Sequence, residues 1–136
     1  MHGTFNLNGV SFDLMDGILG LALGPTAAGD RKLFFHSLAS VRESWVRCSL
    51  LRNESNFVDG INEVPRQFRV SSAERTSQSA AEDMDEHGIM IFGLLHENAL
   101  ACWDSRRQYS PENMHIVSRS ERALQFPSGI KISQDR

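Results

Sequence analysis

Residues 89–95, Ile-Met-Ile-Phe-Gly-Leu-Leu, constrain the fold more than any other stretch. Read as a strand, they send Ile89, Ile91, Gly93 and Leu95 to one face and Met90, Phe92 and Leu94 to the other, so both faces are apolar. An antiparallel sheet with one wet face would show a polar residue at every second position, so this strand must be covered on both sides. Its surroundings read as strand, turn, strand, turn, strand across residues 77–104. Asp85-Glu86-His87-Gly88 makes the first reversal and His96-Glu97-Asn98 the second, Asp by bonding its own backbone and Gly by accepting positive φ.

The rest of the chain repeats the pattern. Residues 5–14 read as a hairpin with Asn8-Gly9 at its tip, which sets Phe5 and Leu7 across from Val10 and Phe12. Residues 18–23 and 32–38 are further strands with two apolar faces, separated by a loop of breakers, Gly24 to Asp30. Residues 43–51 suit a strand or a short helix. Residues 52–75 lose regular spacing among Phe57, Val58, Ile61, Val64, Phe68 and Val70 and read as a long surface excursion with one helical turn. A turn-rich loop over 104–112, a strand over 114–118, a turn into Leu124-Gln125-Phe126 and a last short strand over 130–133 complete the pass.

Roughly eight to ten short strands with turn signals between them indicate an all-β chain. Two-faced strands argue against a simple sandwich and for a propeller, whose blades are packed on both faces by their neighbours. At four strands per blade, 136 residues supply about two and a half to three blades, whereas a ring closes with four or more. The chain is therefore expected to be part of a larger ring, with an exposed blade face and free sheet edges.

Charge and composition exclude several functions. Fourteen Lys and Arg against seventeen Asp and Glu leave a net charge of -3, which gives no electrostatic case for nucleic acid or an anionic membrane. The longest apolar run, residues 17–24, is about eight residues where a spanning helix needs about 20. The first residues, Met1-His2-Gly3-Thr4-Phe5-Asn6, have neither a basic start nor an apolar h-region, which taken alone indicates the cytoplasm. Cys48 and Cys102 permit one disulfide but read more naturally as two separate thiols.

Several stretches, in order, resemble the major royal jelly and Yellow proteins of insects. They are Met15-Asp16-Gly17-Ile18-Leu19-Gly20-Leu21-Ala22-Leu23, Leu33-Phe34-Phe35-His36-Ser37-Leu38-Ala39-Ser40, Leu51-Arg52-Asn53-Glu54-Ser55, Ser77-Gln78-Ser79 and Asp85 to Gly88 running into Phe92. Ala101-Cys102-Trp103-Asp104, Tyr109-Ser110-Pro111-Glu112-Asn113 and Leu124-Gln125-Phe126-Pro127-Ser128-Gly129 follow. The resemblance implies a six-bladed β-propeller in a longer, secreted and often glycosylated protein, of which residues 1–136 form a central-to-late portion lacking the first blades and the closing strands. It links the chain to pigmentation and melanin formation, with dopachrome conversion, biogenic-amine binding and storage as the roles found among such proteins. Asn53-Glu54-Ser55 is then the expected glycosylation site. Cys48 and Arg106-Arg107 depart from the family pattern; the first puts a family disulfide there in doubt, and the second could alter a ligand mouth.

Residue chemistry narrows the choices. Asp83-Met84-Asp85-Glu86-His87-Gly88 starts like a calcium loop, but His87 and Leu94 stand where that loop needs oxygen ligands, so a plain turn is expected. His2, His36, His87, His96 and His115 form no HxH or HExxH pair, so no zinc or other metal is expected, and no cofactor. Cys102 has no surrounding nucleophile signature, and Ser77 and Ser79 lack a GxSxG elbow. Trp103 reads first as core packing, and otherwise as a wall for an ammonium-bearing ring at the channel end. Trp103, Asp104, Ser105, Gln125 and Phe126 supply the types such a ligand needs: aromatic faces, hydrogen-bond acceptors and a carboxylate. The expected partner is a small catechol- or indole-derived amine in the propeller channel. The alternatives are dopachrome conversion, with proton transfer by His36 or Asp104, and a ligand-free structural or storage role.

Overall fold

The structure, a computed structural model, describes residues 3–7, 9–58 and 64–133. Asn8, Ile61 and His2 lie outside the described residues.

Among the described residues, ten strands form three antiparallel groups. β1 (Thr4–Leu7) and β2 (Val10–Asp13) make the expected hairpin, with Phe5 opposite Phe12 and Leu7 opposite Val10. The Phe5 and Phe12 rings stack at 5.4 Å. β3 (Ile18–Leu23), β4 (Lys32–Ser37), β5 (Ser44–Arg47) and β6 (Arg69–Val70) form one four-stranded meander. β7 (Glu82–Met84), β8 (Ile89–Leu94), β9 (Ala99–Asp104) and β10 (Met114–Arg119) form a second. Within each sheet the spatial order is the chain order, and the first strands, β3 and β7, lie side by side. Two meanders packed face to face with their leading strands adjacent are neighbouring blades of a β-propeller.

Strand alternation builds the interface. On β4, Phe34 and His36 turn toward the second blade, while Leu33 and Phe35 turn away and pack with Val46, Leu50, Val64 and Phe68. On the facing blade, Met84, Met90, Phe92, Leu94, Ala99, Ala101 and Trp103 meet Ala22 and Phe34 in the main core. The middle strand is covered on both sides as its sequence demands: Met90, Phe92 and Leu94 lie in this core, and Pro127 lies against Gly93 on the other side. On β3, by contrast, Ile18, Leu19, Leu21 and Leu23 are exposed, as are Ile116 and Val117 on β10. These are faces of the kind a further blade would cover.

Three local outcomes differ from the sequence reading. Residues 43–51 are neither strand nor helix alone, because β5 runs directly into the short helix α1 (Cys48–Arg52). Among its described residues, the excursion over 52–75 contains two short 3-10 turns and also returns to the sheet as β6, pairing Ser44 with Val70 and Trp45 with Arg69. Residues 130–133 are not a strand: the Ile132 N–H is taken by the Asp83 carboxylate at 2.8 Å instead of by a backbone carbonyl of β7. The 85–88 turn forms as expected, with Asp85 Oδ1 accepting from the N–H groups of His87 and Ile89 and Gly88 at φ 83°. Asp85 thereby spends its carboxylate on the backbone. Cys48 and Cys102 are both free thiols.

Candidate functional site

Two features meet between the blades and share Tyr109. The first is a buried group of charges. His36 comes from β4, Glu82 from the start of β7, Glu43 from just before β5 and Arg75 from the connection between blades, and all four residues are at most 5% exposed. His36 Nδ1 donates to Glu43 Oε2 at 2.9 Å and lies 3.2 Å from Glu82 Oε2. Arg75 donates to Glu43 Oε2 at 2.9 Å, to the Tyr109 hydroxyl at 2.7 Å and to the Ser40 carbonyl at 2.8 Å. Glu43 is held from behind by its own backbone, which accepts from the Ser71 N–H and donates to Ser71 Oγ.

The local folding reason is a cross-strand gap. Gly20 of β3 stands directly opposite His36, and a Cβ there would fall 2.4 Å from the ring. Only glycine leaves room for the imidazole beside β3. The ring N–H at Nδ1 points at Glu43, so the two Glu82 oxygens have close charge but no hydrogen-bond donor among the described residues.

Burial opposes a charged imidazole here, yet the Glu43 and Glu82 carboxylates outweigh it and raise the His36 pKa to about 9. Burial likewise raises Glu82, against the pull of His36. Burial pushes Tyr109 well above the usual phenol range, although Arg75 opposes it. Arg75 resists burial because Tyr109 and Glu43 lie beside it, and its pKa is raised. With His36 protonated, two cations and two carboxylates cancel. The donor atoms of His36, Glu43 and Glu82 lie within 4.8 Å of one another, a set that could hold a divalent cation. Charge counting opposes that use: an ion displacing the His36 proton would leave one uncompensated positive charge beside Arg75 in a buried site. The group reads as a self-neutralised lock between blades.

The second feature is a cleft of about 200 Å³ walled by Phe34, Trp45, Trp103 and Tyr109, with Lys32 and Arg107 at its rim. Phe34 and Trp103 meet edge to face at 5.9 Å, and Trp103 and Tyr109 at 4.9 Å. Phe34 tilts against Trp45 at 6.3 Å. The Trp103 indole N–H donates to the Gln108 carbonyl at 3.2 Å, which fixes the ring. Ser71, Ser105 and Gln108 add polar groups to the wall.

The structure brings two of the five sequence-derived ligand residues together in the cleft and places the other three outside it. Trp103 and Ser105 line the cleft. Asp104 lies between them in the chain but turns to Arg106, accepting at 2.9 and 2.7 Å, and this contact holds its pKa at about 2. Gln125 donates to the Glu121 carbonyl within a turn that Ser120 ties to the Asn98 carbonyl, at the opposite end of β9. Phe126 is 37% exposed and precedes the proline that packs on Gly93. Asn53 is exposed, its side chain accepting from the Ser55 N–H and hydroxyl.

Sequence reasoning named His36 but missed Glu43, Arg75, Glu82 and Tyr109. No motif could have joined them, since the hydrogen bonds span 7, 32, 34 and 66 residues. The one visible hint was a charged residue set beside apolar neighbours, Glu43 ahead of Trp45 and Glu82 after Ala80-Ala81.

Comparison with known proteins places this geometry in a family. The profile of the major royal jelly protein family matches residues 1–136. Protein yellow of Drosophila subobscura is 35% identical over 139 residues, covering 100% of this chain and 24% of that protein. Protein yellow of Drosophila melanogaster is 34% identical over 140 residues, covering 100% and 25%. The chain thus spans about a quarter of the length of the relatives it matches. No helix among the described residues is long and apolar enough to cross a membrane. With a match over its whole length and two propeller blades packed as described, the chain belongs to the major royal jelly protein family.

Proposed function

We propose that this chain forms blades of a secreted Yellow-like protein acting in pigment formation, and that the cleft between its two blades takes a small catechol- or indole-derived ring. The observation that carries the reading is the aromatic wall. Four aromatic side chains around about 200 Å³ suit one or two fused rings, and a cavity of about 150 Å³ suffices for benzene. Ser71, Ser105 and Gln108 supply the few polar groups that orient such a ligand and could meet its hydroxyls. On this reading the ligand lies between blades, whereas the sequence suggested the propeller channel. Family membership supports the pigment-pathway role and secretion, with Asn53 as an exposed glycosylation site.

Binding is better supported than catalysis. A general base works best with a pKa near the working pH and within reach of the substrate. His36 is sealed at 2% exposure and its pKa is raised to about 9, while Asp104 is lowered to about 2 by Arg106. Neither is poised to move a ligand proton. The test is titration of the whole protein with dopamine, serotonin and dopachrome, followed by intrinsic fluorescence and by product formation. Saturable quenching without turnover is expected. Dopachrome turnover would transfer the protein to the enzyme class, and the absence of any binding would leave a storage or structural role.

A further inference from the structure

The rim of the cleft carries charge of one sign. Lys32 and Arg107 both line it, and neither forms an ion pair among the described residues. The carboxylates that could have answered them are engaged elsewhere. Asp104 is bound through both oxygens by Arg106, and Asp30 accepts from the Ser49 N–H and hydroxyl and lies 3.8 Å from Arg47. Glu43, a buried carboxylate 3.5 Å from the Tyr109 hydroxyl, is taken by Arg75 and His36. Hence an aromatic cleft in a chain of net charge -3 presents two cations without an ion pair and no acidic wall residue, with Arg107 adding only a weaker, through-space pull on the Asp104 carboxyl that Arg106 already holds.

An ammonium group entering this cleft would meet like charge at the rim and no carboxylate to pair with. The aromatic faces attract cations, but that attraction is weak at an exposed site and is opposed here by Lys32 and Arg107. A carboxylate reverses the balance. It would accept a two-pronged hydrogen bond from a guanidinium, and the lysine adds a second positive contact.

We propose that the cleft is built for an anionic aromatic ligand, a single ring or indole bearing a carboxylate, held by ring contact with Trp45, Trp103 and Tyr109 and by Lys32 and Arg107 at the acid group. This rests on the reading of the cleft as an aromatic-ligand site and assigns its charge preference.

The chain supplies its own reporter, because its two tryptophans, Trp45 and Trp103, both line the cleft. The experiment uses three probes with one catechol ring and different tails: 3,4-dihydroxyphenylpropionate, dopamine and 3,4-dihydroxyphenylethanol. Each is titrated into the whole protein at low and at moderate salt, with tryptophan quenching cross-checked by calorimetry. The propionate should bind at least about tenfold more tightly than dopamine, with the neutral alcohol between them. Salt should weaken the propionate alone. The double variant Lys32→Gln/Arg107→Gln should bring propionate and dopamine within about threefold of each other while leaving the alcohol unchanged, which also shows that the cleft is still folded. Equal or tighter binding of dopamine in the native protein overturns the charge assignment but leaves the aromatic cleft standing. If no probe binds, both readings fail.

Discussion

Replacing Glu43 by Gln tests the inter-blade lock most directly. Glu43 Oε2 receives His36 and Arg75 at 2.9 Å each and lies 3.5 Å from the Tyr109 hydroxyl, all within a region at most 5% exposed. The amide keeps the shape but removes the charge, leaving His36 and Arg75 against Glu82 alone. Breaking a buried pair by removing one partner costs about 3–5 kcal/mol, a large share of the 5–15 kcal/mol that holds a typical domain. The same change has a signature in pH. In the native protein His36 titrates at about 9, above the 6.5 of an unperturbed imidazole, so the folded state holds the extra proton. Its contribution is complete below about pH 6.5 and is lost as the pH rises through 9, and by linkage it amounts to no more than about 3 kcal/mol. In Glu43→Gln the excess positive charge is relieved when His36 gives up its proton, so its pKa falls and this alkaline loss disappears. Urea unfolding of the whole protein and of the variant from pH 6 to 10 reads both effects, with m-values checking that the unfolding unit is the same. A loss at pH 7 below about 1 kcal/mol, or an alkaline slope identical to that of the native protein, would refute the charge-balance argument.

Two further outcomes follow from the geometry. Gly20→Ala should lower stability by about 1–3 kcal/mol, because its Cβ would sit 2.4 Å from the His36 ring, whereas Gly17→Ala, with nothing within 4 Å, should be near neutral; thermal melts of the pair separate the two. Mass spectrometry of the unreduced, denatured protein should show both cysteines alkylated, and in the native protein half-buried Cys102 should react before buried Cys48; a protected pair would contradict the free thiols.

Local order was largely legible in the chain. The Asp85 to Gly88 turn, the Phe5 and Phe12 pairing and the strands at Ile18, Lys32 and Ile89 all follow from short-range rules of turn chemistry and alternation. Failures came where a segment's fate depends on a distant partner. Arg69 and Val70 carry no strand signal of their own and pair only because β5 offers an open edge. Residues 130–133 have strand-like composition, yet Asp83 binds the Ile132 N–H. Among the ligand candidates, Trp103 and Ser105 share the cleft because they are near neighbours on one strand end. Gln125 and Phe126 do not join them, because the turn at Ser120 anchors that segment to Asn98, a strand's length away.

By itself the sequence determined an all-β blade architecture, because period-two alternation and turn residues act over a few positions and need no knowledge of what lies opposite. It also carried the family, through ordered short stretches along its whole length. The buried charges and the rim of the cleft were decided only by tertiary structure. His36, Glu43, Arg75, Glu82 and Tyr109 are unremarkable in the chain, and their pKa values and roles arise when two blades close on one another, exclude water and leave each charge no partner but the others.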